Sequence, residues 1–326
     1  MIFTACTESE PEPEEELPVT YAVTVVSGTG SGDYEEGETV FITADAAPQF
    51  QQFKNWTTSS AGVTFANANS DTTTFTMPAN NVTVTANYEL APLTSISAVT
   101  TYLTAQSGGS TAANPISLKV NMALGTPGNA GSEFRNLLAA IDTAEKFVEL
   151  DLGSSTMIGT AFTTGTTSGT PVTGGLRVVS INLPSTATSI TSTAFRNWTS
   201  LKSASGTGIT ATVGSGLYGV LEGCTALTSV NFPELVTLGS YTFWGCTSLA
   251  SVNIPKVASI TGSAFYNCGS VTNIIIAGGL STSAFGSTSL SARVSSFRTY
   301  YLENTQAGRV ETYAYDGSAW TGPTTN

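Results

Sequence analysis

A period of 22 residues constrains this chain more than any other feature. Cys224, Cys246 and Cys268 are 22 apart, as are Phe243 and Phe265, Pro233 and Pro255, and Leu227, Leu249 and Val271. Two adjacent copies read LTSVNFPELVTLGSYTFWGCTS (227–248) and LASVNIPKVASITGSAFYNCGS (249–270). Such self-similarity predicts a solenoid, because each copy buries its apolar set only against its neighbours. In Leu249-x-x-Val252-x-Ile254 three apolar side chains point inward from a short strand, and Pro255, with no N–H, ends that strand. Val257 and Ile260 return along the far side, and Ala264, Phe265 and Cys268 fill the coil from below.

Earlier coils keep the pattern with insertions. One runs Val178, Ile181, Leu183, Pro184, then Ile190, Ala194 and Phe195, with Trp198 in the Cys position. The first runs Phe147, Leu150, Leu152, then Ile158, Ala161 and Phe162. Six coils are expected, starting near 147, 178, 201, 227, 249 and 271, with departures at 153–175 and 206–216. Outward strand positions form two columns. One is Glu149, Ser180, Ser203, Ser229, Ser251 and Asn273; the other is Asp151, Asn182, Ser205, Asn231, Asn253 and Ile275. Short polar side chains are cheap to order and both donate and accept hydrogen bonds. Ser180, Asn182, Ser229, Asn231, Ser251, Asn253 and Asn273 are therefore the candidate ligand-binding residues, although a plain solvent-facing surface has the same composition.

The flanking segments do not repeat. Residues 21–90 alternate at Tyr21, Val23, Val25, at Val40, Ile42, Ala44, and at Val82, Val84, Ala86, with Phe50, Phe53 and Trp56 as bulk, which predicts an all-β module. Within it, Gly28 to Gly32 reads as a turn; a phosphate-cradling loop needs a helix after it, and Asp33-Tyr34-Glu35-Glu36 and a strand follow instead. Across 91–146 the pattern gives a weak helix at Ile96–Ala105, a strand through Ile116, Leu118 and Val120, and a helix over Glu133–Ala144 capped by Ser132, together an N-terminal cap. Residues 291–326 read as a β-hairpin cap around Asp316-Gly317. Its Tyr300, Tyr301, Tyr313, Tyr315 and Trp320 suit cap packing better than a binding platform.

Composition narrows the chemistry. The 326 residues contain no histidine, so Ser-His-Asp and Cys-His sites cannot exist. The three periodic cysteines lack the paired C-x-x-C spacing and the fourth ligand of structural zinc, and read as a column of buried thiols. Glu149 and Asp151, the nearest carboxylate pair, point outward with nothing converging on them. A net charge of -12 repels phosphate backbones, so no nucleic-acid partner is expected. Residues 7–20 hold six Glu and three Pro and form a disordered tether.

The repeat resembles the BspA-like leucine-rich repeat family, whose unit runs L-x-S-I-x-I-P…I-x-x-x-A-F-x-x-C; the likeness covers about 147–290 and is densest at 227–270. It implies cell-surface adhesion to host proteins or other cells, with no activity and no cofactor. GTGSGDYEEGETVFITA (28–44), FKNW (53–56) and FTMPANNVTVTANY (75–88) resemble the internalin-B-type (Listeria–Bacteroides) repeat, which implies a stalk or spacer. Phe3-Thr4-Ala5-Cys6 resembles the end of a bacterial lipobox, and the acidic run after it resembles the surface-export signal of Bacteroidetes-type lipoproteins.

The expectation is a mainly β chain: tether 1–20, β-module 21–90, α/β N-terminal cap 91–146, leucine-rich repeat solenoid 147–290 and hairpin cap 291–326. It describes a monomeric, non-catalytic surface lipoprotein, anchored through Cys6 in an outer membrane, with no metal or cofactor. The expected partner is a protein or glycan on a cell or matrix surface. Carbohydrate capture for an uptake system and a ligand-free spacer are the alternatives.

Overall fold

The computed structural model describes residues 18–165, 170–214, 218–280 and 292–325. Cys6 and most of the acidic run lie outside them. Contacts divide the chain into two units that meet in sequence at Ala91 and Pro92.

The first unit is all β: β1 (Thr20–Val26), β2 (Gly28–Thr29), β3 (Gly32–Glu35), β4 (Thr39–Ala44), β5 (Gln51–Thr58), β6 (Thr72–Thr76) and β7 (Val82–Leu90). They form one sheet in the order β3-β1-β7-β5 and a second in the order β2-β4-β6. The alternating residues read from the sequence, Val23, Val40, Ile42, Val82, Val84 and Ala86, join Trp56, Phe75 and Met77 in its core. Trp56 buries its ring and donates from Nε1 to the Ser70 carbonyl at 3.0 Å, so no polar atom of the ring is stranded. The glycine-rich turn is tighter than expected, since Gly28–Thr29 pairs with Thr43 and Ala44 as a two-residue strand.

The second unit opens with α1 (Ile96–Ala105), β8 (Ile116–Lys119) and α2 (Glu133–Thr143). Ser132 caps α2, its Oγ accepting from the Arg135 N–H at 3.3 Å, and Phe134, Leu137, Leu138 and Ile141 are buried at helical spacing. Strands then alternate between two sheets. β9 (Val148–Asp151), β11 (Val178–Asn182), β13 (Ser203–Ser205), β15 (Ser229–Asn231), β17 (Ser251–Ile254) and β19 (Asn273–Ala277) form one row. β10 (Ala161–Phe162), β12 (Ser189–Thr191), β14 (Ala211–Val213), β16 (Thr237–Leu238) and β18 (Ser259–Ile260) form the other. Every pair within these rows is parallel, and the register is the repeat itself: Ser229 faces Ser251, Val230 faces Val252, and Thr237 faces Ser259. A third set of backbone bonds ties the end of each coil to the next, for example from the Phe243 N–H to the Ala264 carbonyl at 2.8 Å.

Between these ladders lies the core. Leu227, Leu249 and Val271 are buried, as are Phe195, Phe243, Phe265 and the three thiols. Aromatic rings run through it: Phe134 to Phe162 at 5.0 Å, Phe162 to Phe195 at 5.7 Å, and Phe243 to Phe265 at 5.2 Å.

β8 pairs in parallel with β9, so the strand expected in the 91–146 segment lies along the edge of the first row. Two expectations need correction. Ile158, expected inside the first coil, is 70% exposed, because residues 153–160 turn rather than form a returning strand. The C-terminal segment is more than a hairpin: α3 (Ala292–Asn304) precedes β20 (Val310–Tyr315) and β21 (Trp320–Thr325). The hairpin extends the nine-stranded sheet antiparallel to β19. Phe297 and Tyr301, four apart on α3, seat that helix on Tyr313 and Trp320.

Phe243 is fully buried and contacts the ring of the neighbouring coil. Phe243→Ala should cost about 3–5 kcal/mol through lost transfer energy and a residual cavity. Chemical denaturation measures this, and a loss below about 1 kcal/mol would place the residue outside the core.

Candidate ligand-binding face

Parallel pairing in exact repeat register turns single residues into columns. The first is Ser117, Glu149, Ser180, Ser203, Ser229, Ser251 and Asn273; the second is Lys119, Asp151, Asn182, Ser205, Asn231, Asn253 and Ile275. All seven candidate residues therefore lie on one face of one sheet. The sheet adds Ser117 and Lys119 at one end, and Ala314 and Thr312 at the other. Alternation at Ile116 and Leu118 carried the signal for Ser117, but nothing in the sequence pairs that strand with the repeats.

The two columns differ in chemistry. The second bonds to itself: Asn182 Nδ2 donates to Asp151 Oδ1 at 2.8 Å, Ser205 Oγ to Asn182 Oδ1 at 3.1 Å, and Asn253 Nδ2 to Asn231 Oδ1 at 2.6 Å. Much of its capacity is spent between coils. In the first column, the half-buried Ser180, Ser203, Ser229 and Ser251 hydroxyls hydrogen-bond to no other described protein group. Asn273 closes the column with a buried Oδ1 that has no partner. A buried acceptor left unpaired costs about 1–3 kcal/mol, so this end of the column favours any group that donates to it.

Charge is segregated. Of 23 acidic residues, 13 lie before residue 92 with Lys54 as the only base there; ten acids and ten bases follow. The whole net charge of -12 thus belongs to the N-terminal part, and the second unit is neutral. Its repeat charges are also locally matched, Arg196 with Glu222 at 2.8 Å and Lys256 with Glu234 at 2.6 Å. From Ser180 to Asn273 the outward columns carry no charge. Glu149 and Asp151 sit at one end, where Ser117 Oγ donates to Glu149 Oε2 at 3.2 Å and Lys119 stands opposite Asp151 in register.

Tyr301, Tyr313 and Trp320 are buried against Phe297, so they are core to the terminal hairpin rather than a platform. Glu311 is buried beneath them, accepting from Tyr313 Oη at 2.8 Å, Thr305 Oγ1 at 2.7 Å and the Gln306 N–H at 2.8 Å. Burial and that carboxylate together push the Tyr313 hydroxyl far above its ordinary pKa. The thiols of Cys224, Cys246 and Cys268 are unbridged and buried, donating to the carbonyls of Phe195, Leu221 and Phe243 at 3.0, 3.1 and 3.0 Å. Among the described residues no group of three or more Cys, Asp or Glu is placed to hold a metal ion.

Residues 174–291 match the BspA type leucine rich repeat region in six copies, and residues 19–92 match the divergent InlB B-repeat domain. The chain therefore carries one internalin-B-type module followed by BspA-type repeats. The coil starting near 147 lies outside the repeat match. Neither a curated protein nor a solved structure matches the chain.

Burial pushes Cys224 and Cys268 up to about 12, from the ordinary 9.0, and raises Cys246 well above it. In the unfolded chain these thiols ionise first. The stabilisation is fully present below pH 9 and is lost progressively as pH rises toward 12. Urea midpoints across that window should fall less steeply for Cys224→Ala/Cys268→Ala than for the parent. Parallel pH profiles would show that the thiols are not buried.

Proposed function

We propose that this chain is a non-catalytic surface adhesin, and that the outward face of its long sheet binds an extended segment of a protein on a host or cell surface. The observation that carries this reading is the hydroxyl column from Ser180 to Ser251, which bonds to no other described protein group, beside a self-bonded Asn column. Adjacent strands are about 4.8 Å apart, so the hydroxyls form a regular row of donors and acceptors. Backbone amides and carbonyls of an extended peptide match such a row without needing charge. The matched families support a surface protein with a binding role.

The further parts of the reading fit together. The repeats stack as a solenoid, with the segment before β9 and the segment after β19 covering its ends. Cys6 is a lipid-anchor site in an outer membrane, the acidic segment is a tether, and the β-module is a spacer. A strongly acidic tether beside a neutral repeat unit lets anionic surfaces repel the base of the molecule while the binding face is left neutral. The protein acts as a monomer without metal or cofactor.

Ser229 and Ser251 lie at the centre of the row, where lysine adds bulk and charge without entering the core. Biolayer interferometry of the full chain against a panel of matrix proteins, native and deglycosylated, should find a partner that binds in both forms. Ser229→Lys/Ser251→Lys should bind it at least tenfold more weakly at unchanged melting temperature. A folded variant that binds as well as the parent would remove the sheet face as the site.

A further inference from the structure

A second row of side chains lies on the stretch that closes each coil. Backbone bonds run from the Asn197 N–H to the Glu222 carbonyl at 2.8 Å, from Gly223 to Trp244 at 2.7 Å, and from Gly245 to Tyr266 at 2.9 Å. Arg196, Glu222, Trp244 and Tyr266 thereby occupy one equivalent position in four successive coils. The residue after each has positive φ, and it is Asn, Gly, Gly and Asn in turn, the types that tolerate that conformation.

The row is structured as a surface. Trp244 and Tyr266 pack with centroids 4.2 Å apart and their planes tilted by 35°, and Tyr241 lies 5.1 Å from Trp244. At the other end the Arg196 guanidinium sits 4.2 Å above the Tyr218 ring and pairs with Glu222 at 2.8 Å. Glu222 also accepts the Gly219 N–H at 2.9 Å through Oε2. Arg196 Nε is buried and has no hydrogen-bond partner. Trp244 is half-buried and Tyr266 is 37% exposed. The fold does not require rings here, since the same position holds Arg196 and Glu222 in neighbouring coils.

We propose that this row is a binding subsite for a neutral oligosaccharide. Three features select that ligand. The aromatic rings offer apolar, electron-rich surface to the C–H groups of a pyranose. The one ion pair is matched within the site, so a charged ligand gains little, whereas sugar hydroxyls both donate to the carboxylate and accept from the guanidinium. The row is also small: six side chains over four coils span about 14 Å at the strand spacing. A stable protein interface takes roughly 20–30 residues a side. The row lies on a different stretch of each coil from the serine column and does not depend on the sheet-face reading.

The test is saturation-transfer NMR of the full chain with cellohexaose, xylohexaose, mannohexaose and fully N-acetylated chitohexaose at millimolar concentration, with trigalacturonate as the acidic probe. At least one neutral hexasaccharide should bind saturably, quench tryptophan fluorescence and outcompete trigalacturonate. Trp244→Gln/Tyr266→Gln, polar substitutions that the position already accepts in other coils, should weaken binding at least tenfold with melting temperature preserved. Ser229→Lys/Ser251→Lys should bind the sugar as the parent does, which separates the two sites. Silence of all four neutral probes, tighter binding of trigalacturonate, or undiminished binding by the folded aromatic variant would each overturn the proposal. So would loss of a matrix-protein partner in that variant without any sugar binding, which would make the row a protein contact.

Discussion

Coil-to-coil backbone pairing in repeat register, with a bulge between Val178 and Ser180 where β11 meets β9, is the constraint on which the repeat unit depends. A single coil offers a few apolar side chains, one aromatic ring and one thiol, too little to bury alone. Pairing Val230 with Val252 and Ile274, and Thr237 with Ser259, places each inward side chain directly over its counterpart. Phe243 then rests on Phe265, and each thiol reaches a carbonyl of a neighbouring coil. Slipping one strand by a single residue would exchange the core and solvent faces of that strand. Apolar burial therefore enforces the register that the backbone bonds make possible.

The same register organises the outside. Equivalent positions become columns about 4.8 Å apart, so the chemistry of a column is the chemistry of one residue type repeated. Asparagine and aspartate at the second outward position bond from coil to coil. At the first position a serine faces a serine from Ser180 to Ser251, and these short side chains bond to no other described protein group. The row of Arg196, Glu222, Trp244 and Tyr266 arises in the same way at the coil end, where an ion pair and a ring pair satisfy themselves side by side. Surface chemistry in such a chain is a property of columns rather than of single residues.

Much of this was legible in the sequence, for a physical reason. Stacking makes side-chain environment periodic, so Cys224, Cys246 and Cys268 already declared the register, and the outward columns followed from it. Local chemistry marked α2, because Ser132 caps it and its buried face repeats at helical spacing. What remained hidden depended on tertiary contact. α3 contains Val294, Ser295, Ser296 and Thr299, which are weak helix formers, and it is held by Phe297 and Tyr301 against the hairpin. The exposed Ile158 matched the repeat pattern in a stretch that forms a turn. Trp244 and Tyr266 keep the 22-residue spacing, but Arg196 and Glu222 are 26 apart because their coil is longer, so the complete row emerges only in three dimensions. The pairing within the asparagine column likewise depends on side-chain orientation, which spacing does not specify.

Cross-linking across one coil boundary tests the register most directly. In a Cys6→Ser background, cysteines placed at Ser229 and Ser251 have α-carbons about 4.8 Å apart, within disulfide reach, whereas Ser229 and Asn253 are separated by about 8 Å, beyond it. Mild oxidation followed by mass spectrometry of proteolytic fragments reads the outcome. The account predicts a 229–251 disulfide in the folded monomer and none for the 229–253 pair. A 229–253 bridge would contradict the register from which both proposed surfaces derive.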